Sequence, residues 1–188
     1  MAVGNTPFPV MHPIAGFELA TVSAGIKTPG RKDLVLMAAV AGSSVAGVFT
    51  QNTFCAAPVT LCKKHLAASS ARVLLVNAGN ANACTGEQGI EDALASCERA
   101  AGLTGGDQDQ VLPFSTGVIG EPLPLQKLLD ALPAAASGLS AEGWTDAAQG
   151  IMTTDTRPKG ASVQFVHDGE TVTVTGIAKG SGMIKPKM

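Results

Sequence analysis

The chain has 188 residues and a formal net charge of −2, with 45% apolar and 15% charged residues. This composition predicts one domain spanning residues 1–188 and excludes a disordered chain, which needs low hydrophobicity and high net charge. Basic runs are no longer than Arg31-Lys32 or Lys63-Lys64. A nucleic-acid surface normally needs clustered Lys and Arg, so we expect no nucleic-acid partner.

Membrane and export segments are not expected either. The longest apolar run, 34–41, falls far short of the ~18 residues of a membrane span. The first residues, Met1 to Asn5, lack the charged and apolar regions of a signal peptide. We therefore expect a cytoplasmic protein without a membrane partner.

The cysteines predict neither zinc binding nor a disulfide framework. None stands in a C-x-x-C pair, and His12, His65 and His167 supply no close ligand pair. We expect no metal and ordinary reduced, partly buried thiols. The four cysteines are Cys55, Cys62, Cys84 and Cys97.

The first half of the chain predicts three strands, a short helix and a fourth strand. Turn signals at Pro29-Gly30 and Gly42-Ser43 separate the first three strands. The strands are predicted over 17–27, 34–41, 45–50 and 73–76, and the short helix over 61–68.

The second half predicts a helical middle. Thr85 and Gln88 have capping-box spacing ahead of a helix, and a short strand at 111–114 follows. A second helix lies between Pro124 and Pro133, and Ser140 is predicted to cap a third. The apolar faces of the three helices are Ile90, Ala93, Leu94, Cys97 and Ala101; Leu125, Leu128, Leu129 and Leu132; and Trp144, Ala147, Ala148 and Ile151.

A β-hairpin is predicted near the end of the chain. Asp168-Gly169 is a favoured two-residue turn, because both positions need positive φ. Folding about it pairs Phe165 with Val172 and Val163 with Val174. Strands on both sides of a helical middle predict a layered α/β or α+β domain with mixed or antiparallel sheets. Because the chain stops soon after this hairpin, we expect a final strand to come from elsewhere.

Two polar stretches follow predicted elements and could carry chemistry. In Ser115-Thr116-Gly117, a hydroxyl lies beside a glycine N–H, the donor types that an oxyanion hole requires. A bare Ser-Thr-Gly is more often a plain turn. The stretch 152–159 (MTTDTRPK) crowds hydroxyls, a carboxylate and cations, yet Asp155 there can equally cap a turn.

Other candidates are weaker. The segment 176–181 lacks the frame of a phosphate loop, and G-x-G-x-x-G and G-x-S-x-G are both absent from the sequence. His167-Asp168 has the residue types of a catalytic pair but falls on the predicted hairpin turn.

Taken in order, these segments resemble the α chain of the bifunctional ornithine acetyltransferase/N-acetylglutamate synthase family of arginine biosynthesis. The similarity covers nearly the whole chain, in long motifs that keep their order. They are Gly47 to Thr50 with Asn52, Ala56 to Val59, Asn77 to Thr85 (NAGNANACT), Phe114 to Gly120 (FSTGVIG), Met152 to Lys159 (MTTDTRPK) and Ile177 to Ile184 (IAKGSGMI).

The resemblance implies a self-cleaving precursor and a layered α/β/β/α sandwich with mixed sheets, completed by a separate β chain. The threonine that starts the β chain is the family's nucleophile. The family junction usually reads P-N-M-A-T, whereas this chain reads Pro186-Lys187-Met188 and stops. The chain thus resembles an α chain that ends one alanine before the scissile bond, with Lys187 in place of the usual Asn.

The resemblance also implies residue roles and partners. Thr116 and Gly117 match the oxyanion-hole pair, and Thr153 and Lys179 match substrate-contacting residues. The implied reaction moves an acetyl group from N-acetylornithine to glutamate through an acetyl-enzyme, releasing ornithine and N-acetylglutamate without a cofactor. The implied assembly is (αβ)2. Acetyl-CoA as a second donor separates bifunctional from monofunctional members, and both options stay open.

Two alternatives remain at this point. The related self-processing aminopeptidases and amidases share N-terminal-nucleophile chemistry, but pass the acyl group to water. The other alternative is a non-catalytic binding module, in which the polar loops are ordinary turns without a chemical role.

Overall fold

The computed structural model describes residues 7–182 and 187–188. Met183, Ile184 and Pro186, parts of the IAKGSGMI and junction motifs, lie outside the described residues. The elements in chain order are β1 Phe17–Val22, β2 Leu34–Ala39, α1 Ala57–Ala68, β3 Val73–Asn77, α2 Gly86–Thr104, β4 Val111–Ser115, α3 Leu125–Ser137, α4 Trp144–Gly150, β5 Lys159–His167 and β6 Glu170–Ala178.

Four strands form a mixed sheet in the order β1-β2-β3-β4. The first two pairings are antiparallel, and β3 pairs with β4 in parallel, with Asn77 opposite Ser115 at their shared end. Parallel strands end at the same edge of a sheet, so the loops after β3 and β4 lie side by side there. The mixed α/β class predicted from the sequence is confirmed.

Both faces of this sheet are buried, because successive side chains along each strand point to opposite faces. Leu34 and Leu36 face a core formed with α2 and α3, whereas Val35 and Met37 face a second core around Trp144 of α4. Ile177 of β6 packs against the second core, which places the hairpin on the α4 side of the sheet. The sheet therefore separates two apolar layers.

The predicted hairpin is confirmed. Asp168 and Gly169 have φ values of 51° and 84°, and Phe165 pairs with Val172 and Val163 with Val174. Val163, Phe165 and Val174 are 53%, 48% and 54% exposed. Part of the hairpin's apolar face is thus open to solvent in this chain.

Two predictions for the strands of the first third are wrong. The segment 45–50 joins no sheet in the described structure; instead Val45 and Phe49 pack beside Cys62 and Leu112 in a small third core. Strand β1 ends at Val22 rather than at residue 27, because the chain turns around a buried carboxylate that is described below.

The predicted helix ends also need correction. Thr85 donates to Asn82 Oδ1 instead of capping α2, and Gln88 donates to Asp92 Oδ1. Helix α3 runs through Pro133 to Ser137, because burial of Leu132 and Ala135 offsets the one missing N–H. These corrections move element boundaries and leave the architecture unchanged.

Ser140 does not cap the third helix. Helix α4 begins at Trp144 after Gly143. Ser140 exchanges two backbone hydrogen bonds with Leu19 of β1, at 2.9 and 3.1 Å. A Cβ at Gly143 would overlap the Leu19 carbonyl, so the close approach of this loop to β1 decides where α4 starts.

Candidate active site

The paired ends of β3 and β4 position the Ser-Thr-Gly loop. The Thr116 N–H donates to the Asn77 carbonyl at 3.0 Å, and Asn77 Nδ2 donates to Ser115 Oγ at 2.7 Å. Gly117 follows with a φ of 137°, a conformation that L side chains rarely adopt. In the described part of the chain the Gly117 N–H donates to no backbone carbonyl, and Gly117 lines a cavity that is described below.

Gly117 packs directly against the loop after β3. A Cβ at this position would overlap the Gly79 carbonyl and come within 2.7 Å of the Asn80 nitrogen. The Val118 N–H donates to the Gly79 carbonyl at 3.3 Å, which ties the two loops together. The glycine is therefore required here by both space and backbone conformation.

Buried asparagines hold these loops in place. Asn80 Nδ2 donates to the carbonyls of Glu121 and Pro122, and Asn80 Oδ1 accepts the Asn82 N–H at 2.7 Å. Asn82, with no exposed surface, donates to the Gly89 carbonyl. Buried amides need satisfied hydrogen bonds, and here they fix the backbone behind Thr116 and Gly117. Sequence reasoning missed this scaffold, although the density of Asn in 77–82 was a visible signal.

A second buried side chain orders the loop between β1 and β2. Asp33 accepts the N–H groups of Ala24 and Ile26, both at 2.7 Å, so this loop curls around the carboxylate. The loop carries Lys27 and Arg31 toward the Ser-Thr-Gly loop. Arg31 in turn donates to the carbonyls of Met152 and Thr153. Neither cation was among the candidate residues predicted from the sequence.

Lys179 brings the four predicted site residues together. Its Nζ donates to Thr116 Oγ1 at 2.7 Å and to Thr153 Oγ1 at 2.8 Å, and Gly117 lies beside Thr116. An ammonium can only donate, so both hydroxyl oxygens act as acceptors and their own protons stay available to other groups. Within the described residues, these contacts use two of the three Nζ protons.

The charge state of Lys179 reflects its surroundings. Burial lowers the pKa of Lys179, the nearby Asp155 carboxylate raises it, and the cations Lys159 and Arg31 lower it; the net direction is below 10.5. Burial alone would raise the pKa of Asp155, but hydrogen bonds from Lys159, Gly180 and Thr153 lower it to about 2. The site therefore holds an anionic Asp155 and a partly desolvated Lys179 whose ammonium is less strongly favoured than in water.

The four predicted site residues, Thr116, Gly117, Thr153 and Lys179, line a cavity of about 460 Å³, and Lys27, Arg31 and Ser181 also line it. Its free donors and cationic lining suit a small ligand with at least one carboxylate. A larger hollow of about 800 Å³ lies at the opposite end of the sheet, beside Phe17, Ala39 and Arg72. Arg72 there already donates to the Thr104 and Gly105 carbonyls, so its guanidinium is less available to a ligand than the cations of the smaller cavity.

The other candidate groups lie apart from this cavity. On the hairpin turn, His167 Nε2 lies 3.5 Å from Asp168 Oδ2, and the two side chains are 73% and 90% exposed. Burial raises the pKa values of the Cys62 and Cys97 thiols to about 12, which leaves them unreactive, while Cys84 is exposed.

No group of three or more His, Cys, Asp or Glu side chains suited to a metal occurs within 7–182 and 187–188. Among the helices described, none is long and apolar enough to cross a membrane.

Comparison with known proteins decides the family. The ArgJ family model matches residues 18–188 of this chain. The chain belongs to the ArgJ family. It is 62% identical over 188 residues to the arginine biosynthesis bifunctional protein ArgJ of Pseudomonas syringae pv. tomato, and 61% identical to that of Pseudomonas fluorescens. Each match covers 100% of this chain and 46% of the relative, so the chain spans about half the length of these curated relatives.

Solved structures of the family have the same fold. The crystal structure of the arginine biosynthesis bifunctional protein ArgJ from Bacillus halodurans matches with a TM-score of 0.84 and 36% identity, over 92% of this chain and 91% of that one. Ornithine acetyltransferase from Mycobacterium tuberculosis, crystallised with ornithine, matches with a TM-score of 0.86 and 39% identity, over 93% of each chain. The family resemblance seen in the sequence motifs is thus confirmed.

The space at Gly117 gives a first testable prediction. Gly117→Ala should lower the free energy of unfolding by about 1–3 kcal/mol from backbone strain, with the overlap against Gly79 adding to the loss. Gly102→Ala, in the last turn of α2 with open space around its Cβ position, is the matched control and should be neutral or stabilising. Chemical denaturation of both variants measures the difference. Equal stabilities would show that the loop tolerates a side chain at 117.

Proposed function

We propose that this chain is the α chain of a self-cleaved precursor and forms half of an acetyltransferase active site. The reaction is acetyl transfer from N-acetylornithine to glutamate. The observation that carries the proposal is the Lys179 ammonium bound to Thr116 and Thr153, with Gly117 beside them in the wall of the same cavity. The family membership and the ornithine-bound relative support the substrate class.

The residues divide the chemistry as follows. An N-terminal threonine of the β chain attacks the acetyl carbonyl, and its own amine takes the hydroxyl proton directly or through water. The Thr116 hydroxyl and the Gly117 N–H stabilise the negative charge that develops on the carbonyl oxygen. The amide C–N bond then breaks, and ornithine leaves with the proton that the threonine amine had taken. In the second half-reaction the glutamate amine attacks the acetyl-threonine ester, gives up a proton, and the threonine hydroxyl is restored as N-acetylglutamate forms.

Lys179 binds the α-carboxylate that both amino acids share. A compact ammonium pairs with a carboxylate without demanding one fixed geometry, which suits a pocket used by two substrates in turn. The cavity volume of about 460 Å³ accommodates an acetylated amino acid together with water. No cofactor or metal takes part in this scheme, and acetyl-CoA as a second donor remains an option for the first half-reaction.

The product formed in a mixture of N-acetylornithine and glutamate tests the proposal. The complete protein should form N-acetylglutamate and ornithine in equal amounts. Free acetate in place of N-acetylglutamate would identify a hydrolase of the aminopeptidase and amidase type. If neither N-acetylglutamate nor free acetate forms, a non-catalytic binding module is favoured.

Assembly forms part of the proposal. Val163, Phe165 and Val174 form an exposed apolar face, which is the kind of surface that a partner covers. We expect the β chain to complete the layered α/β/β/α sandwich there, in an (αβ)2 assembly. The α chain expressed alone should aggregate or bind a hydrophobic dye, and co-expression of the β chain should suppress this. A stable α monomer that unfolds cooperatively would contradict this assembly.

Removal of the Thr116 hydroxyl tests the oxyanion hole. Thr116→Ala in the complete enzyme should lower the rate of acetyl transfer by about 10²–10³-fold, the usual cost of one such donor, with little effect on stability. Thr116→Ser keeps the hydroxyl and should retain most of the activity. Steady-state kinetics of the two variants makes the comparison, and near-normal turnover of Thr116→Ala would remove this residue from the site.

Lys179→Met tests carboxylate binding. The substitution should raise KM for both N-acetylornithine and glutamate, with a total loss in kcat/KM equivalent to roughly 2–4 kcal/mol. Lys179→Arg should recover only part of the loss, because the guanidinium is larger and planar. The exposed Lys64→Met is the control and should be silent. A change in kcat/KM of less than about twofold for both substrates would show that Lys179 does not bind them.

A further inference from the structure

Asp155 is a buried carboxylate to which neither the motifs nor the proposed mechanism assigns a role. Its side chain has no exposed surface. It accepts the Gly180 N–H at 2.6 Å, Lys159 Nζ at 2.5 Å and the Thr153 N–H at 3.2 Å. Burying a charge is costly unless donors satisfy it, and here three donors converge on one carboxylate.

Two of those donors adjoin the cavity. Thr153 supplies both the N–H that binds Asp155 and the hydroxyl that binds Lys179, and Gly180 directly follows Lys179 in the chain. A further contact, Thr154 Oγ1 to Ser181 Oγ at 2.8 Å, joins the same two loops. Asp155 therefore fastens the loop after α4 to the loop after β6 at the point where Lys179 leaves the strand.

We propose that Asp155 is a positioning residue that holds the Lys179 ammonium, in its charged form, against the hydroxyls of Thr116 and Thr153. The consequence for chemistry, which rests on the proposed function, follows from the donor count. While Lys179 stays charged it can only donate, so the Thr116 proton is directed away from it and toward the carbonyl oxygen of the substrate. A neutral or displaced Lys179 leaves that proton without a fixed direction.

The charges that face Lys179 have opposite effects. Asp155 is anionic and favours the ammonium, whereas the cations Lys159, from the start of β5, and Arg31, from the loop between β1 and β2, oppose it. Lys27 lines the same cavity as a further cation. Removing Asp155 or Lys159 should therefore move the titration of Lys179 in opposite directions, although the two residues are bonded to each other.

The test compares Asp155→Asn with Lys159→Met in the complete enzyme. Competitive labelling of lysines with acetic anhydride across a pH series, read by mass spectrometry of the peptide that contains Lys179, reports its titration without requiring turnover. Asp155→Asn should shift this titration, and the alkaline limb of the pH profile of kcat/KM, to lower pH. Lys159→Met should shift both to higher pH.

Kinetics provides the second measurement. Asp155→Asn should lower kcat/KM at neutral pH by about tenfold or more. In a Lys179→Met background the loss should shrink to about twofold, because Asp155 acts through the Lys179 ammonium that is already absent there. Asp155→Glu, which keeps the charge, should restore part of the Lys179 titration.

The outcomes separate this inference from the proposed function. Stability loss in Asp155→Asn with an unmoved Lys179 titration would reduce Asp155 to a structural residue and overturn the inference. If Asp155→Asn fails to fold, Lys159→Met decides, and an unchanged or downward shift overturns it. A wild-type enzyme that forms no N-acetylglutamate would instead refute the proposed function, while the labelling experiment would still test the role of Asp155.

Discussion

The desolvated ammonium of Lys179 is the group on which the arrangement of this site depends. A partly buried cation needs acceptors, and the chain supplies two threonine hydroxyls at 2.7 and 2.8 Å and a buried carboxylate nearby. These partners come from the loops after β4 and α4, and Lys179 itself directly follows β6. Three segments distant in sequence therefore converge on one side chain, and the cavity forms where they meet.

The sheet makes this convergence possible. The parallel pairing of β3 with β4 carries the Asn-rich loop and the Ser-Thr-Gly loop to one edge, where Gly117 lies against the Gly79 carbonyl. The Asp33 carboxylate folds the loop that brings Lys27 and Arg31 to the same edge. The cavity thus has more cations than anions around it, which matches the α-carboxylate that both amino acids of the proposed reaction carry.

Much of the architecture could be predicted from local signals. The hairpin follows from Asp168-Gly169 and alternating side chains, and the cores of β2 and β3 follow from their apolar runs. The failures share a cause, because tertiary contacts overrode local preference at Pro133, at Ser140 and in 45–50. Within the site, Thr116, Gly117, Thr153 and Lys179 came from the family resemblance. The roles of Asp33, Asn80 and Asp155 could not be predicted from the sequence, since each depends on backbone groups that only the folded chain brings close.

In the proposed mechanism, Thr116 and Gly117 bind the oxygen on which negative charge develops. A crystal structure of the complete enzyme, trapped as its acetyl-enzyme, tests this most directly. We expect the acetyl carbonyl oxygen about 2.7–3.1 Å from both Thr116 Oγ1 and the Gly117 nitrogen, with Lys179 still bound to Thr116. A carbonyl oxygen held by other donors, with Thr116 and Gly117 out of reach, would contradict it.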